Sequence, residues 1–438
     1  MKHIILILLC VLLTFGAVYG QSGTAVGMGE AYTTFARGSE AIFWNPANLA
    51  FTNEGLPGFS MSLFSLKLNA GQNALDIDLY NDYFTEEGKI LSDDNINDLL
   101  GRIPDEGLKA DFRTDVSLLA MSYKNFGFSV ESGFFADLSM PKSLVEIPFN
   151  GLEQKTYDFS PDAKGEGLIK LNFAYGRIVA RDKVVNLPME KTLNFKEIAV
   201  GGSFAYMMGI AKIDFEKTSL FADITDNGIV ARGEIIGHGT NLVRVYDPVD
   251  GTYDLETSDE TGISGKGFGL NFGATGKLDN GYMVSVVVKN LIDRMSWNKD
   301  VVKFNHVINT GDPMFPNELG DLEEDDYHTD NDEEVGSFTS SLPIELRFAV
   351  GRKVGRYMYA AEIGRENEKF LFALGGGLKW AIFNLYGGYQ INQSHGLNFG
   401  IGFGGQNFMW DFAVGSRGGV KWGSNKGLAF ATSMRFGM

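Results

Sequence analysis

The feature that most constrains this chain is a period-two alternation of apolar with polar or small side chains. It returns along most of the sequence, and after residue 20 no run approaches the ~18 apolar residues of a spanning helix. From residue 342 the apolar set is Leu342, Ile344, Leu346, Phe348 and Val350, while Pro343, Glu345, Arg347, Ala349 and Gly351 take the other face. Successive side chains of a strand point to opposite faces, so this is a strand with one apolar side, long enough to cross a bilayer when tilted. The pattern recurs at Phe370 to Trp380, Leu397 to Phe403, Phe408 to Val414 and Leu428 to Phe436. The last hundred residues therefore read as an up-and-down meander. Less regular stretches at 59–68, 116–123, 126–134, 169–175, 198–206, 210–221, 268–272, 282–288 and 356–363 bring the total to about 14 strands. An even count is the rule for single-chain bacterial barrels.

A soluble β-sandwich also alternates, but it turns its apolar face inward and covers the outside with charge. Here one face is dense in Phe, Leu and Trp. The other is glycine, alanine and scattered charge, including Lys170, Asn172, Glu345, Arg347, Lys379, Asp411 and Arg435, as a hydrated lumen requires. Glycine supplies 55 of 438 residues and phenylalanine 34, a composition suited to curved strands with a lipid-facing surface. The expected fold is all-β, a transmembrane antiparallel up-and-down β-barrel with an N-terminal hatch segment inside the lumen.

Residues 1–20 read as a signal peptide: Lys2 precedes the apolar run Ile4 to Leu13, and Val18 and Gly20 suit cleavage before Gln21. The expected location is the bacterial cell outer membrane, after cleavage near Gly20/Gln21. Cys10 is the only cysteine and lies within the apolar run, so the processed chain would have no thiol chemistry. Losing Lys2 leaves 37 basic against 55 acidic side chains, a net charge of −18 whose sign disfavours nucleic-acid binding. Acidic outer loops can instead be linked to lipopolysaccharide by divalent cations.

Residues 21–54 form the expected hatch or plug and 55–438 the barrel, with long inserts near 69–113, 230–262 and 300–335. The first insert holds a helix-like piece, Asp94 to Leu100. The second includes Asp254, Glu256, Asp259 and Glu260. The third ends in the acidic run 321–334, whose spacing does not match a calcium loop and which reads as solvated. Turns at Lys124-Asn125, Asp279-Asn280-Gly281 and 404–407 are short, and the inserts alternate with them, as barrel topology demands. Trp380, Trp410 and Trp422 read as interfacial girdle residues. Close glycines such as 375–377 and 400–405 sit within strands and precede no helix, so they signal curvature and not a phosphate loop. Catalysis is disfavoured: His238, His306 and His328 lie in long inserts, and His395 sits at a hairpin turn beside Ser394 with no visible orienting partner. No cofactor or metal is implied, and the chain is expected not to be an enzyme.

Before the first strand come Gly27-Met28-Gly29-Glu30-Ala31-Tyr32, then 36–41, then Phe43-Trp44-Asn45-Pro46-Ala47-Asn48-Leu49-Ala50. This stretch lacks alternation and is rich in small residues, so it should be a compact element, with Asn45-Pro46 separating two local turns. Here the chain resembles the outer-membrane long-chain fatty-acid channel superfamily, the FadL/TodX type, and its Bacteroidetes-type relatives, among them a branch serving as a shuttle in type IX secretion. The resemblance rests on the Gly- and Ala-rich start, on Asn45-Pro46-Ala47, on Asn290-Leu291-Ile292 with Trp297, and on the closing meander. It implies a lumen plugged by the N-terminal segment, with Arg37, Asn45, Pro46 and Ala47 as hatch or gating candidates. An ion pair between Arg37 and Asp411 or Glu345 is the alternative role for that arginine. The resemblance further implies a passive channel for small hydrophobic molecules. The alternative is a permanently plugged barrel acting in secretion, assembly or surface binding. Expected partners are outer-membrane lipid and lipopolysaccharide, small apolar solutes, and secreted or periplasmic proteins.

Overall fold

Fourteen antiparallel strands pair in chain order and close on themselves. They are β1 (Phe59–Gln72), β2 (Leu108–Tyr123), β3 (Phe126–Met140), β4 (Asp162–Asn186), β5 (Thr192–Thr225), β6 (Gly265–Leu278), β7 (Tyr282–Trp297), β8 (Glu345–Val354), β9 (Tyr357–Glu366), β10 (Lys369–Trp380), β11 (Phe383–Asn392), β12 (Ser394–Gly404), β13 (Phe408–Arg417) and β14 (Gly427–Gly437). Closure is made by β14 on β1, with Ser60 opposite Gly437 and Gly71 opposite Gly427. The structure, a computed structural model, describes residues 22–51, 58–85, 91–186, 192–246, 253–257, 262–311, 328–330, 333–392, 394–405, 407–421 and 423–437. The signal-peptide region, Trp422 and most of the acidic run 321–334 lie outside the described residues.

Burial is inverted relative to a soluble protein, which fixes the barrel as membrane-spanning. Phe370 and Trp380 are 64% and 63% exposed on the outer face, while Arg347, Glu362 and Asp411 are each 1% exposed within. Water-soluble domains almost never leave such aromatics out and bury such charges. Trp410 also points outward, as the girdle reading requires.

The number of strands matches expectation, but two of them are placed differently. Stretches 198–206 and 210–221 belong to one continuous strand, β5, of 34 residues. The strand β11 is additional, absent from the expected set, and its Gly387 and Gly388 are held in the ladder opposite Gly376 and Gly375. The predicted strand from Leu342 begins only at Glu345, because Leu342 turns its amide onto the Asp293 carboxylate at 2.8 Å.

Both chain ends of the barrel lie at one rim, here the near rim. The short connections 124–125, 279–281, 355–356, 381–382 and 405–407 share it, so it is the periplasmic one. The opposite, far rim carries the long inserts. In the first, helices Ile77–Phe84 and Asp93–Arg102 are capped by Asp76 and Ser92, and the second buries Leu99 and Leu100. The upper half of β5 leaves the barrel and pairs with 228–240, which pairs in turn with 301–309. At the near rim the β4–β5 hairpin runs past β3, whose pairing stops where Phe126 meets Tyr175 while β4 continues to Asn186; on the other side β6 stays paired with β5 as far as Phe195.

The wall is least regular around Asn290. Between β6 and β7 the register jumps from Leu270–Ile292 to Phe272–Val288. Asn290 adopts φ +54, a left-handed conformation that asparagine tolerates. Its amide donates to Asn271 at 2.8 Å and its side chain to the Pro343 carbonyl at 3.0 Å. The first bond bridges the irregularity between β6 and β7, and the second ties β7 to the chain leading into β8.

Candidate functional site: the N-terminal segment in the lumen

Residues 22–51 fill the near half of the lumen as a chain of short turns: Gly23–Gly27 and Ala41–Trp44 are helical, and Gly38–Glu40 and Pro46–Ala50 are 3-10 turns. Nearly all of these residues are buried. The local sequence explains the geometry. Ser22 accepts from the Ala25 amide, and Asn45 is extended (φ −159, ψ 103) ahead of Pro46, where its Oδ1 accepts from the Ala47 amide at 3.0 Å. Asn45-Pro46 separates two turns, as the residue types require.

The segment touches all fourteen strands, in two ways. The first is direct backbone approach onto wall glycines. A Cβ added at Gly388 would lie 2.2 Å from the Gly29 nitrogen, one at Gly375 2.3 Å from the Met28 carbonyl oxygen, and one at Gly201 2.4 Å from the Ala47 nitrogen. Gly176 and Gly400 meet the backbone of Pro46 and Gly27 in the same way, while Gly127, Gly273 and Gly351 make room for the side chains of Ile42, Asn45 and Thr34. Curvature was the reading of Gly375 and Gly400 from sequence; close approach of a second backbone is what the structure adds.

The second is a set of buried polar anchors. The Lys67 ammonium lies 2.6 Å from Glu30, which also faces Arg347 at 3.7 Å. Arg347 pairs with Glu362 at 2.9 Å and Glu366 at 3.0 Å, and the Thr33 hydroxyl donates to Glu362 at 2.8 Å. Glu40 accepts from the Tyr32 hydroxyl at 2.7 Å and from Arg435. Asn45 donates to Thr275 at 2.8 Å, and the Thr275 hydroxyl donates to Asn48 at 2.8 Å. The Ser39 hydroxyl shares hydrogen bonds with Ser60 and Ser62. Trp44 lies under the Arg347 guanidinium, 5.0 Å from ring centre, and edge-on to Tyr32. Each buried charge thus has a partner, without which burial would be prohibitive.

Of the four residues proposed from sequence, Asn45, Pro46 and Ala47 sit together against β4, β5 and β6. Arg37 lies apart near β7, donating to the Thr34 and Ala36 carbonyls at 2.8 and 2.9 Å and standing 5.3 Å over the Phe51 ring. The ion pair of Arg37 with Asp411 or Glu345 is not formed: Tyr386 donates to Asp411, and Lys289 pairs with Glu345. Sequence reasoning passed over Glu30, Thr33 and Glu40, which carry the anchors. Their signal lay in the wall, where Lys67, Arg347, Glu362 and Arg435 occupy the small-residue face of strands.

Burial alone would push the Glu30 carboxyl up. Lys67 and Arg347 outweigh it and hold the group at about 2, below its ordinary 4.5. A folded-state value below the unfolded one means that this anchor stabilises the segment fully above about pH 4.5 and loses that contribution as pH falls toward 2. A nitroxide on Phe35→Cys should therefore keep constant mobility from pH 7 to 5 and loosen between 4.5 and 2. Adding Glu30→Gln should abolish that acid step, and an identical step in both proteins would refute the assignment.

Beyond the segment the lumen stays polar. Asn172 donates to Ser129 at 3.0 Å and to Glu131, while Lys212 meets Glu166 at 2.7 Å. Cavities of about 690 and 600 Å³ are instead lined by outward side chains, Phe128, Phe173 and Phe272 in one and Tyr359 and Leu374 in the other, so they face the membrane. Among the described residues, His395 bonds the Tyr389 hydroxyl, and the His238 ring lies 2.8 Å from Glu216.

Residues 50–413 match a family described as of unknown function, DUF5723. The chain belongs to that DUF5723 family. No curated protein matches it. Among solved structures the chain is similar to the toluene transporter TbuX of Ralstonia pickettii (11% identity, TM-score 0.47), the toluene transporter TodX of P. putida (12%, 0.46) and a FadL homologue of Pseudomonas aeruginosa (10%, 0.44). In each case 96% of this chain is matched to 99% of the other.

Proposed function

We propose that this barrel is an outer-membrane conduit for small, largely hydrophobic molecules, with residues 22–51 as a hatch that closes its periplasmic half. The observation that carries the reading is the hatch itself: a segment of small residues laid against every strand, held by a few polar anchors and not woven into the ladder. Such an element can shift as a unit while the wall keeps its own hydrogen bonds. Apolar cargo is supported at the far rim, where the helix Lys142–Asn150 has no buried residue and exposes Leu144 and Phe149. An apolar solute slowed by hydrated lipopolysaccharide would partition onto that surface.

A second reading, a permanently plugged barrel used in assembly or surface binding, is favoured by one specific observation, the charge-paired lumen around Arg347 and Glu30. Single-channel conductance in planar bilayers separates the two. Deleting residues 22–51 should open a steady pore that the intact protein lacks, and in the intact protein apolar solutes should produce transient openings. If the deletion opens the pore but no solute does so in the intact protein, the plugged reading takes its place. A deletion protein that folds and still does not conduct would refute the hatch.

A further inference from the structure

The two rims of the barrel carry opposite charge. At the far rim, the described residues of inserts 73–107, 226–264 and 298–344 include 16 acidic and 5 basic side chains. At the near rim the balance reverses. The projecting β4–β5 hairpin exposes Arg177, Arg181, Lys183 and Lys196 against Asp182. The neighbouring turns and strand ends expose Lys124, Lys353, Arg356 and Lys379 against Asp279. Among the described residues only Arg181 of these cations has a carboxylate in ion-pair range, Glu197 at 3.4 Å. A chain of net charge −17 thus keeps a basic collar at one end.

The collar lies at a defined depth. Tyr123, Phe126, Tyr175, Tyr357 and Trp380 are exposed on the outer face of the same rim. Exposed aromatics of this kind mark the level of lipid headgroups. Lys124 stands 5.1 Å over the Tyr123 ring and Arg352 4.8 Å over Tyr282, which ties cations to that level. On the hairpin, Val179 and Val184 are 55% and 56% exposed between the basic side chains. The collar is also distributed, running from the β2–β3 turn to the end of β10. An annulus of lipids meets such a distribution, whereas one docked protein would meet a single patch.

We propose that the near rim binds the anionic phosphodiester headgroups of the periplasmic leaflet, so that this end of the barrel gathers negatively charged phospholipid around it. Basic side chains near a surface of anionic lipid are each attracted within about a Debye length. The proposal rests on the barrel spanning the outer membrane and is independent of whether the hatch opens.

The test uses the full chain refolded in phosphatidylcholine vesicles, with spin-labelled phosphatidylglycerol and spin-labelled phosphatidylcholine as probes of the motionally restricted lipid shell. The glycerol lipid should be preferred roughly threefold, and the preference should fall toward unity between about 0.05 and 0.5 M salt. A combined K124Q, R177Q, R181Q, K183Q and R356Q variant should lose it, while K109Q with K421Q at the far rim should keep it. Equal association of both probes with the unsubstituted protein overturns the proposal. A preference that survives in the folded rim variant does so too. An acidic decapeptide that binds the rim while the lipid probes show no preference would assign the collar to a protein partner instead. Should the rim variant fail to fold, the salt dependence of the unsubstituted protein still decides.

Discussion

Arg347→Ala should destabilise the barrel by about 3–5 kcal/mol, the largest single loss expected here, because it strands several carboxylates in a buried site. Arg347 is 1% exposed, pairs with Glu362 and Glu366, faces Glu30, and covers the Trp44 ring. It joins β8 and β9 to the hatch, so its loss acts on wall and plug together. Unfolding in detergent, followed by heat-modifiable migration and by tryptophan fluorescence, measures the effect. Adding Glu362→Gln to Arg347→Ala should recover part of the loss, since the amide needs no counter-charge. A single variant within 1 kcal/mol of the parent, or a pair no more stable than the single, would contradict the network.

Gly388→Val should leave the barrel folded and expel the hatch from its wall. Valine suits a strand, but its Cβ would fall 2.2 Å from the Gly29 nitrogen and from the Met28 carbonyl carbon, and backbone cannot step aside as a flexible side chain can. The neighbouring Gly376→Val is the control, since Gly376 faces outward and its Cβ would come no nearer than 3.6 Å to the Met358 oxygen. In planar bilayers the first variant should conduct and the second should behave like the parent. A nitroxide at Phe35→Cys should become mobile in the first only. If Gly388→Val folds with its lumen closed and its label immobile, the close approach is not what seats the hatch.

The two substitutions separate different contributions to one closed state. Arg347 tests whether buried charge holds the hatch, and Gly388 tests whether the absence of side-chain volume does. In a gated conduit, loosening either should raise the open fraction. In a permanent plug, Arg347→Ala should lower stability before any pore appears.

Much of this protein was determined by its sequence alone, because alternation along a strand is a local property. The apolar set Leu346, Phe348 and Val350 against Glu345, Arg347 and Ala349 fixes an outward and an inward face without knowledge of any neighbour. Once the outward face is too apolar for water, closure into a barrel follows, since lipid leaves no strand edge unpaired. The turn before Pro46 was likewise legible from the residue types. Tertiary structure decided the rest. The strand holding Gly387-Gly388 is missing from the expected set, because a glycine pair cannot reveal that a second backbone presses on it from inside the lumen. Glu30 and Glu362 lie 332 positions apart in the chain, yet Arg347 sits between them. Such pairing depends on where a closed barrel brings its strands around a segment that has no periodicity of its own, and no local pattern encodes it.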